Sequence, residues 1–173
     1  MRAVPTLIAV LAAAGTCLAQ AQSGPSDAQI AQIVVTADQV DIDAGKLAEK
    51  QAKSKDVRQF AKQMVTDHTA VNKSATDLAK KLNVKPEAND TSASLKKGGD
   101  DNVAKLKKLK GKAFDKAYVD NEVTYHQAVI DAVDKTLLPS AKNDQLKALI
   151  EKVRPALVAH LDHAKHLQSE LGK

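Results

Sequence analysis

The sequence predicts an all-α protein: four long helices in a bundle, with a short extra helix in the connection between helices two and three. Apolar residues recur at alternating steps of three and four along most of the chain, which is the period of amphipathic helices. Aromatic residues make up only 2% of the chain. The alternation of apolar and polar residues that marks a half-buried strand does not occur in the sequence.

The first two predicted helices form a hairpin. Ser26 and Asp27 provide an N-cap for the first helix, which we expect to end near Ala52. Ser54 caps the second helix, which should run to about Leu82. Because so few residues connect these long helices, the two must lie antiparallel.

The connection that follows is longer. Residues 83–94 have the composition of a loop, and the glycine pair at 98–99 should separate this loop from a short helix. That helix should pass through Val103, Leu106 and Leu109.

A second hairpin completes the predicted bundle. The third long helix should span about 112–138, where Pro139 ends it. The fourth should span about 143–171, with a kink at Pro155 because proline lacks the backbone N–H and its ring crowds the preceding turn. Two hairpins joined by one longer connection are typical of the ferritin-like variant of the four-helix bundle.

The apolar stripes of these helices should meet in one continuous core. Its expected members are Met64, Val71, Leu78, Val129, Val133, Ile150, Val153, Leu157 and Leu167.

The N-terminal residues 1–21 have the pattern of an export signal. Arg2 precedes an apolar run that is too short to span a bilayer comfortably, and small residues precede a cleavage point after Ala21. We therefore expect the domain to comprise residues 22–173 and the protein to be periplasmic or in the cell envelope. A lipid anchor on Cys17 is the alternative, but Thr16 before it is larger than the residue usual at that position.

The composition bears on partners. The net charge is +5, yet lysines are interleaved with acidic residues, and an exported protein does not meet nucleic acid, so we expect no nucleic-acid partner. The one dense basic stretch is 96–112, "KKGGDDNVAKLKKLKGK". We expect it to be a solvated, flexible corner, or to make a weak contact with an anionic envelope surface. No specific protein partner can be inferred.

Three histidines stand where apolar residues are expected. His68, His126 and His160 occupy core-facing positions near the middle of the second, third and fourth long helices, so they should meet in one layer. On the first helix that layer falls near Asp41, and Glu122 lies four residues before His126 on the same face.

Three interpretations of the histidine layer remain open, and the last of them is an acid–base site or a small ligand bound between the helices. In the first, the histidines form a structural hydrogen-bonded layer with nearby carboxylates. In the second, His68, His126, His160, Glu122 and Asp41 form a metal site, for which zinc, copper, nickel and iron are the suitable transition metals.

Three stretches carry a resemblance to a known family: "DAGKLAEKQAKSKDVRQFAKQMVTDH" (43–68), "AFDKAYVDNEVTYHQAVI" (113–130) and "RPALVAHLDHAKHL" (154–167). With this spacing the chain resembles the exported bacterial proteins with a ferritin-like domain of unknown function 4142. The resemblance implies a ferritin-like four-helix fold and an envelope location, and it implies no established activity.

The resemblance leaves three functional hypotheses. The first is a non-enzymatic envelope protein, related to stress, whose histidine layer is structural or binds a metal. The second is a metal- or oxygen-handling enzyme, although Val65 and Leu157 stand where the Glu-x-x-His pairs of a di-iron site need glutamate. The third is an interaction module for an anionic envelope surface. We expect no catalytic residue pattern of a hydrolase or nucleotide enzyme.

Overall fold

The computed structural model describes residues 24–172, and within this range the chain is helical with no strand. The predicted signal segment, residues 1–21, therefore lies outside the described residues. The elements are α1 (Asp27–Gln51), α2 (Lys55–Lys81), α3 (Asp90–Leu106), α4 (Gly111–Ala132), a π-helical turn (Val133–Leu137), α5 (Leu138–Ser140) and α6 (Asp144–Leu171).

The four long helices α1, α2, α4 and α6 form the bundle. Helix α1 packs against α2 and α4, and α6 packs against the same two helices, so each long helix has two long neighbours. Helix α3 lies against α1 and α4. The prediction of an all-α bundle with an extra helix in the middle connection is confirmed.

Side-chain caps set three of the long-helix starts where the sequence predicts them. The Ser26 hydroxyl accepts a hydrogen bond from the Gln29 backbone N–H at 3.3 Å, and Ser54 caps α2 in the same way. The Asn143 side chain accepts from two backbone N–H groups in the first turn of α6. Each cap satisfies donors that the first helical turn leaves without a partner.

Helix α3 corrects the prediction for the middle connection. It begins at Asp90, inside the stretch predicted as loop, and ends at Leu106, before the predicted member Leu109. The glycine pair lies within the helix. At Gly99 the helix packs so closely on α1 that an added Cβ would come within 2.6 Å of a methyl group of Val40. Glycine therefore permits close packing here rather than a turn. The basic stretch 96–112 is mostly helix and not a flexible corner.

The end of α4 also differs from the prediction. Pro139 does not end the helix; the chain passes through the π-helical turn first, and Pro139 lies in the first turn of the short α5. Leu137 and Leu138 keep helical backbone angles, so α5 continues the same helical run, which ends one residue after Pro139, at Ser140. Pro155 lies inside α6, as predicted, and the helix continues through it.

The apolar interior forms two clusters rather than the predicted continuous core. The first, the hairpin core, lies toward the α1–α2 connection and contains Ala44, Ala48, Ala52, Val57, Phe60, Ala61, Met64, Leu106, Phe114, Tyr118, Val119, Ala164 and Leu167. The second, the distal core, contains Ile30, Ile33, Ile130, Val133, Leu137, Leu146, Ile150, Leu157 and Leu161. Val71, a predicted core member, is only partly buried and belongs to neither cluster.

Among the helices of residues 24–172, we find none whose length and apolar character together would suit it to crossing a membrane.

Candidate metal centre

A layer of buried polar residues lies between the hairpin core and the distal core. His68, His126 and His160 are 4%, 0% and 3% exposed, and they come from α2, α4 and α6. The ring centroids lie 5.6 Å apart for His68 and His126, and 5.4 Å apart for each of the other two pairs. The structure thus brings the three predicted histidines together.

One nitrogen of each imidazole is held by a hydrogen bond. His68 Nδ1 donates to Asp38 Oδ1 at 2.8 Å, and His126 Nδ1 donates to the Glu122 backbone carbonyl at 3.1 Å. His160 Nε2 donates to Asp67 Oδ2 at 3.0 Å. Because these acceptors take the ring N–H, each neutral imidazole is left with a lone pair on its other nitrogen.

Those other nitrogens are buried and have no hydrogen-bond partner. They are Nε2 of His68, Nε2 of His126 and Nδ1 of His160. One ring nitrogen from each of the three histidines lies within 4.8 Å of the others. Buried polar atoms are normally satisfied, so three unpartnered nitrogens in one layer require an explanation.

Asp41 supplies a carboxylate to the same layer. It is 1% exposed, and its Oδ2 lies 3.1 Å from His68 Nε2 and 3.5 Å from His126 Nε2, while neither carboxylate oxygen has a hydrogen-bond partner. A carboxylate oxygen can only accept. Either a proton on His68 or a bound cation would therefore make these short distances favourable.

Glu122 also lies close to the His126 ring. Its Oε2 is 3.5 Å from His126 Nδ1, the nitrogen that already donates to a backbone carbonyl. Burial, and then the negative charge of Asp41, raise the pKa of Glu122 well above the usual value of 4.5. Asp41, Glu122 and His126 also bring three potential ligand atoms within 4.8 Å of one another, in a group that overlaps the histidine cluster.

The pKa values of the three histidines shift in different directions. Burial lowers the pKa of His126 to about 4 and also lowers that of His160, where the hydrogen bond to Asp67 offsets part of the effect. Burial acts in the same direction on His68, but Asp41 and Asp38 outweigh it, so the pKa of His68 is raised. Two of the imidazoles are consequently neutral at physiological pH, the state in which imidazole binds metals.

Sequence reasoning missed Asp38 and the contact that Asp67 makes in this layer. Asp38 precedes Asp41 by three residues and is 5% exposed, so the i, i+3 spacing on α1 could have identified it. Asp67 adjoins His68 in sequence, but its carboxylate contacts His160 on α6, a contact between helices that no spacing along α2 reveals.

The fold and the site together define a helical-bundle protein whose interior holds a cluster of imidazoles and carboxylates. The chain belongs to the family described as domain of unknown function (DUF4142), whose family model matches residues 12–167. Searches of the curated proteins and of the solved structures found no match to the chain.

Proposed function

We propose that the protein is a metal-binding protein and that the polar layer holds one divalent transition metal ion. The ligands would be Nε2 of His68, Nε2 of His126, Nδ1 of His160 and the carboxylate of Asp41. One observation carries the proposal: in each imidazole ring, one nitrogen is held by a hydrogen bond and the other is buried without a hydrogen-bond partner. Histidines that bind metals have this arrangement, because the hydrogen bond fixes the tautomer and the ring orientation.

The donor set favours a particular class of ion. Three imidazole nitrogens and one carboxylate suit zinc, and they also suit copper, nickel and iron. Nitrogens bound to one zinc ion at 2.0–2.1 Å in tetrahedral geometry lie about 3.3 Å apart. One nitrogen of each histidine lies within 4.8 Å of the others, so the side chains would have to move closer together to bind one ion.

Glu122 and Asp38 would support the site rather than bind the ion. Glu122 approaches the nitrogen of His126 that donates to a carbonyl, and its raised pKa favours the neutral acid. Asp38 holds Nδ1 of His68, so its carboxylate would add negative charge beside the ion without contacting it.

Metal titration of protein stripped with a chelator tests the proposal. Calorimetry and the thermal midpoint would be measured with zinc, cupric, nickel and ferrous ions. An ion at 100 times its dissociation constant should stabilise the fold by about 2.7 kcal/mol. Affinity should fall in acid, because protons compete for the same nitrogens.

Histidine variants provide the matched comparison. His68→Leu, His126→Leu and His160→Leu should each reduce metal affinity about 100-fold or more. His166→Leu should not, since His166 is exposed on α6 and pairs with Glu170. If no metal moves the midpoint of the wild-type protein, the metal proposal is wrong, and a neutral or stabilising His68→Leu would then identify a structural polar layer.

We also propose that the protein acts outside the cytoplasm, in the periplasm or the cell envelope. The proposal rests on the signal-like pattern of residues 1–21. Protein purified from the periplasm should begin at Gln22 and carry no lipid. A lipid-modified Cys17 found by mass spectrometry would contradict this.

A further inference from the structure

A cavity of about 570 Å³ lies beside the histidine layer on the side of the distal core. Its volume is within the range of about 300–1,000 Å³ that small-molecule sites occupy. Much of its wall is apolar and comes from α1, α2 and α6: Ile33, Val71, Leu149, Ile150, Val153 and Leu157.

The π-helical turn forms another part of the wall. Val133, Thr136 and Leu137 all line the cavity, and all three belong to this turn. A π-helical turn interrupts the regular hydrogen bonding of an α-helix, and such turns frequently occur at functional sites. The irregular end of α4 therefore shapes the cavity rather than filling it.

The inner end of the cavity is polar. Asp38, His68 and His126 line it there. Asp38 is 5% exposed, and although its Oδ1 accepts from His68, its Oδ2 is buried with no hydrogen-bond partner. A buried carboxylate oxygen without a donor is costly. Because Asp38 Oδ2 has no accessible surface, a ligand in the cavity would reach it once the Asp38 side chain turns toward the cavity.

We propose that the cavity binds a small lipophilic hydroxyl compound, an alcohol or phenol, whose hydroxyl group donates a hydrogen bond to Asp38 Oδ2. The apolar body of the ligand would lie against the valine, leucine and isoleucine side chains of the wall. The cavity adjoins the proposed metal site: His68 and His126 line its inner end, whereas Asp41 and His160 do not line it.

A matched pair of probes tests the hydroxyl. Chelator-stripped protein is titrated with 4-propylphenol and with propylbenzene, which lacks the hydroxyl, and binding is followed by calorimetry and ligand-observed NMR. Because no metal is present, failure of this experiment would leave the metal proposal untouched. We expect 4-propylphenol to bind at least about tenfold more tightly, the effect of a hydrogen bond to a charged group.

A matched pair of variants tests the location. Val153→Phe should fill the cavity and weaken 4-propylphenol binding at least about tenfold. Val158→Phe is the control, since Val158 is also a half-buried valine of α6 packed against the distal core, but it does not line the cavity. Its affinity should stay within about twofold of wild type.

Three results would overturn the proposal. The first is the absence of saturable binding of 4-propylphenol at millimolar concentration. The second is equal affinity for the two probes, which would mean that Asp38 takes no part. The third is an equal loss of binding in the two phenylalanine variants.

Discussion

The two apolar cores differ in how tightly they close. In the hairpin core, Phe60, Phe114 and Tyr118 are 0% exposed. In the distal core, Leu157 is 6% and Ile130 is 7% exposed, and Leu157 lines the cavity of about 570 Å³. The difference indicates a division of roles, in which one end of the bundle fixes the histidine layer and the other leaves room beside it.

The polar contacts of the two ends follow the same division. At the hairpin end, the buried Asp115 on α4 accepts hydrogen bonds from the backbone N–H groups of Lys53 and Ser54, both at 2.8 Å. At the distal end, the exposed contact between Asp27 and the backbone N–H of Lys142 ties α1 to the segment before α6. Buried contacts of this kind restrict motion more than exposed ones, because water does not compete for them.

Large-to-small substitutions should expose the difference most strongly. Phe60→Ala in the hairpin core should destabilise the protein by about 3–5 kcal/mol, whereas Leu157→Ala should cost about 2 kcal/mol because its side chain already borders the cavity. Urea unfolding followed by circular dichroism measures both. A larger loss for Leu157→Ala would mean that the distal core is the better packed of the two.

The second prediction concerns the polar contact that closes the hairpin end. Asp115→Ala should destabilise the protein by about 2–3 kcal/mol, since two backbone N–H groups at the start of α2 would lose their acceptor. Asp115→Asn keeps one acceptor and should recover part of the loss. Equal unfolding midpoints for the wild-type and Asp115→Ala proteins would show that water replaces the carboxylate there.

The third prediction concerns Glu122 in the histidine layer between the two cores. In the folded state the pKa of Glu122 is raised, so its contribution to stability is fully present below pH 4.5 and is lost as the pH rises toward the folded-state pKa. Glu122→Gln removes this loss. The variant should therefore gain stability over wild type by about 1.4 kcal/mol per pH unit across that window. Unfolding at pH 4 and pH 7 tests this, and a gain independent of pH would contradict it.

Local signals made much of the fold predictable. The side chains of Ser26, Ser54 and Asn143 cap helices through their own first turns, so short stretches of sequence suffice to place three helix starts. The histidine layer was predictable for a similar reason, because residues of one helix face recur at fixed spacing.

The errors arose where contacts between helices override local preference. Glycine commonly interrupts helices, which is why the pair at 98–99 was predicted to separate a loop from a helix. Gly99 instead lies inside α3 and packs against Val40, which is 59 residues away along the chain. The prediction of one continuous core was wrong because the spacing of apolar residues along a helix does not show that a polar layer divides the interior into two clusters. Asp67 adjoins His68 in the sequence, but its side chain reaches His160 on another helix, and the order of residues along α2 does not reveal that contact.

The π-helical turn at Val133–Leu137 also bears on how this chain can change length. A π-helical hydrogen bond spans one residue more than an α-helical one, so the turn contains a residue that a regular helix would not need. Deleting one residue there would restore α-helical winding and leave α4 and its histidine in their original register. Among descendants of this sequence, a single-residue deletion in the bundle is therefore most easily absorbed at this point.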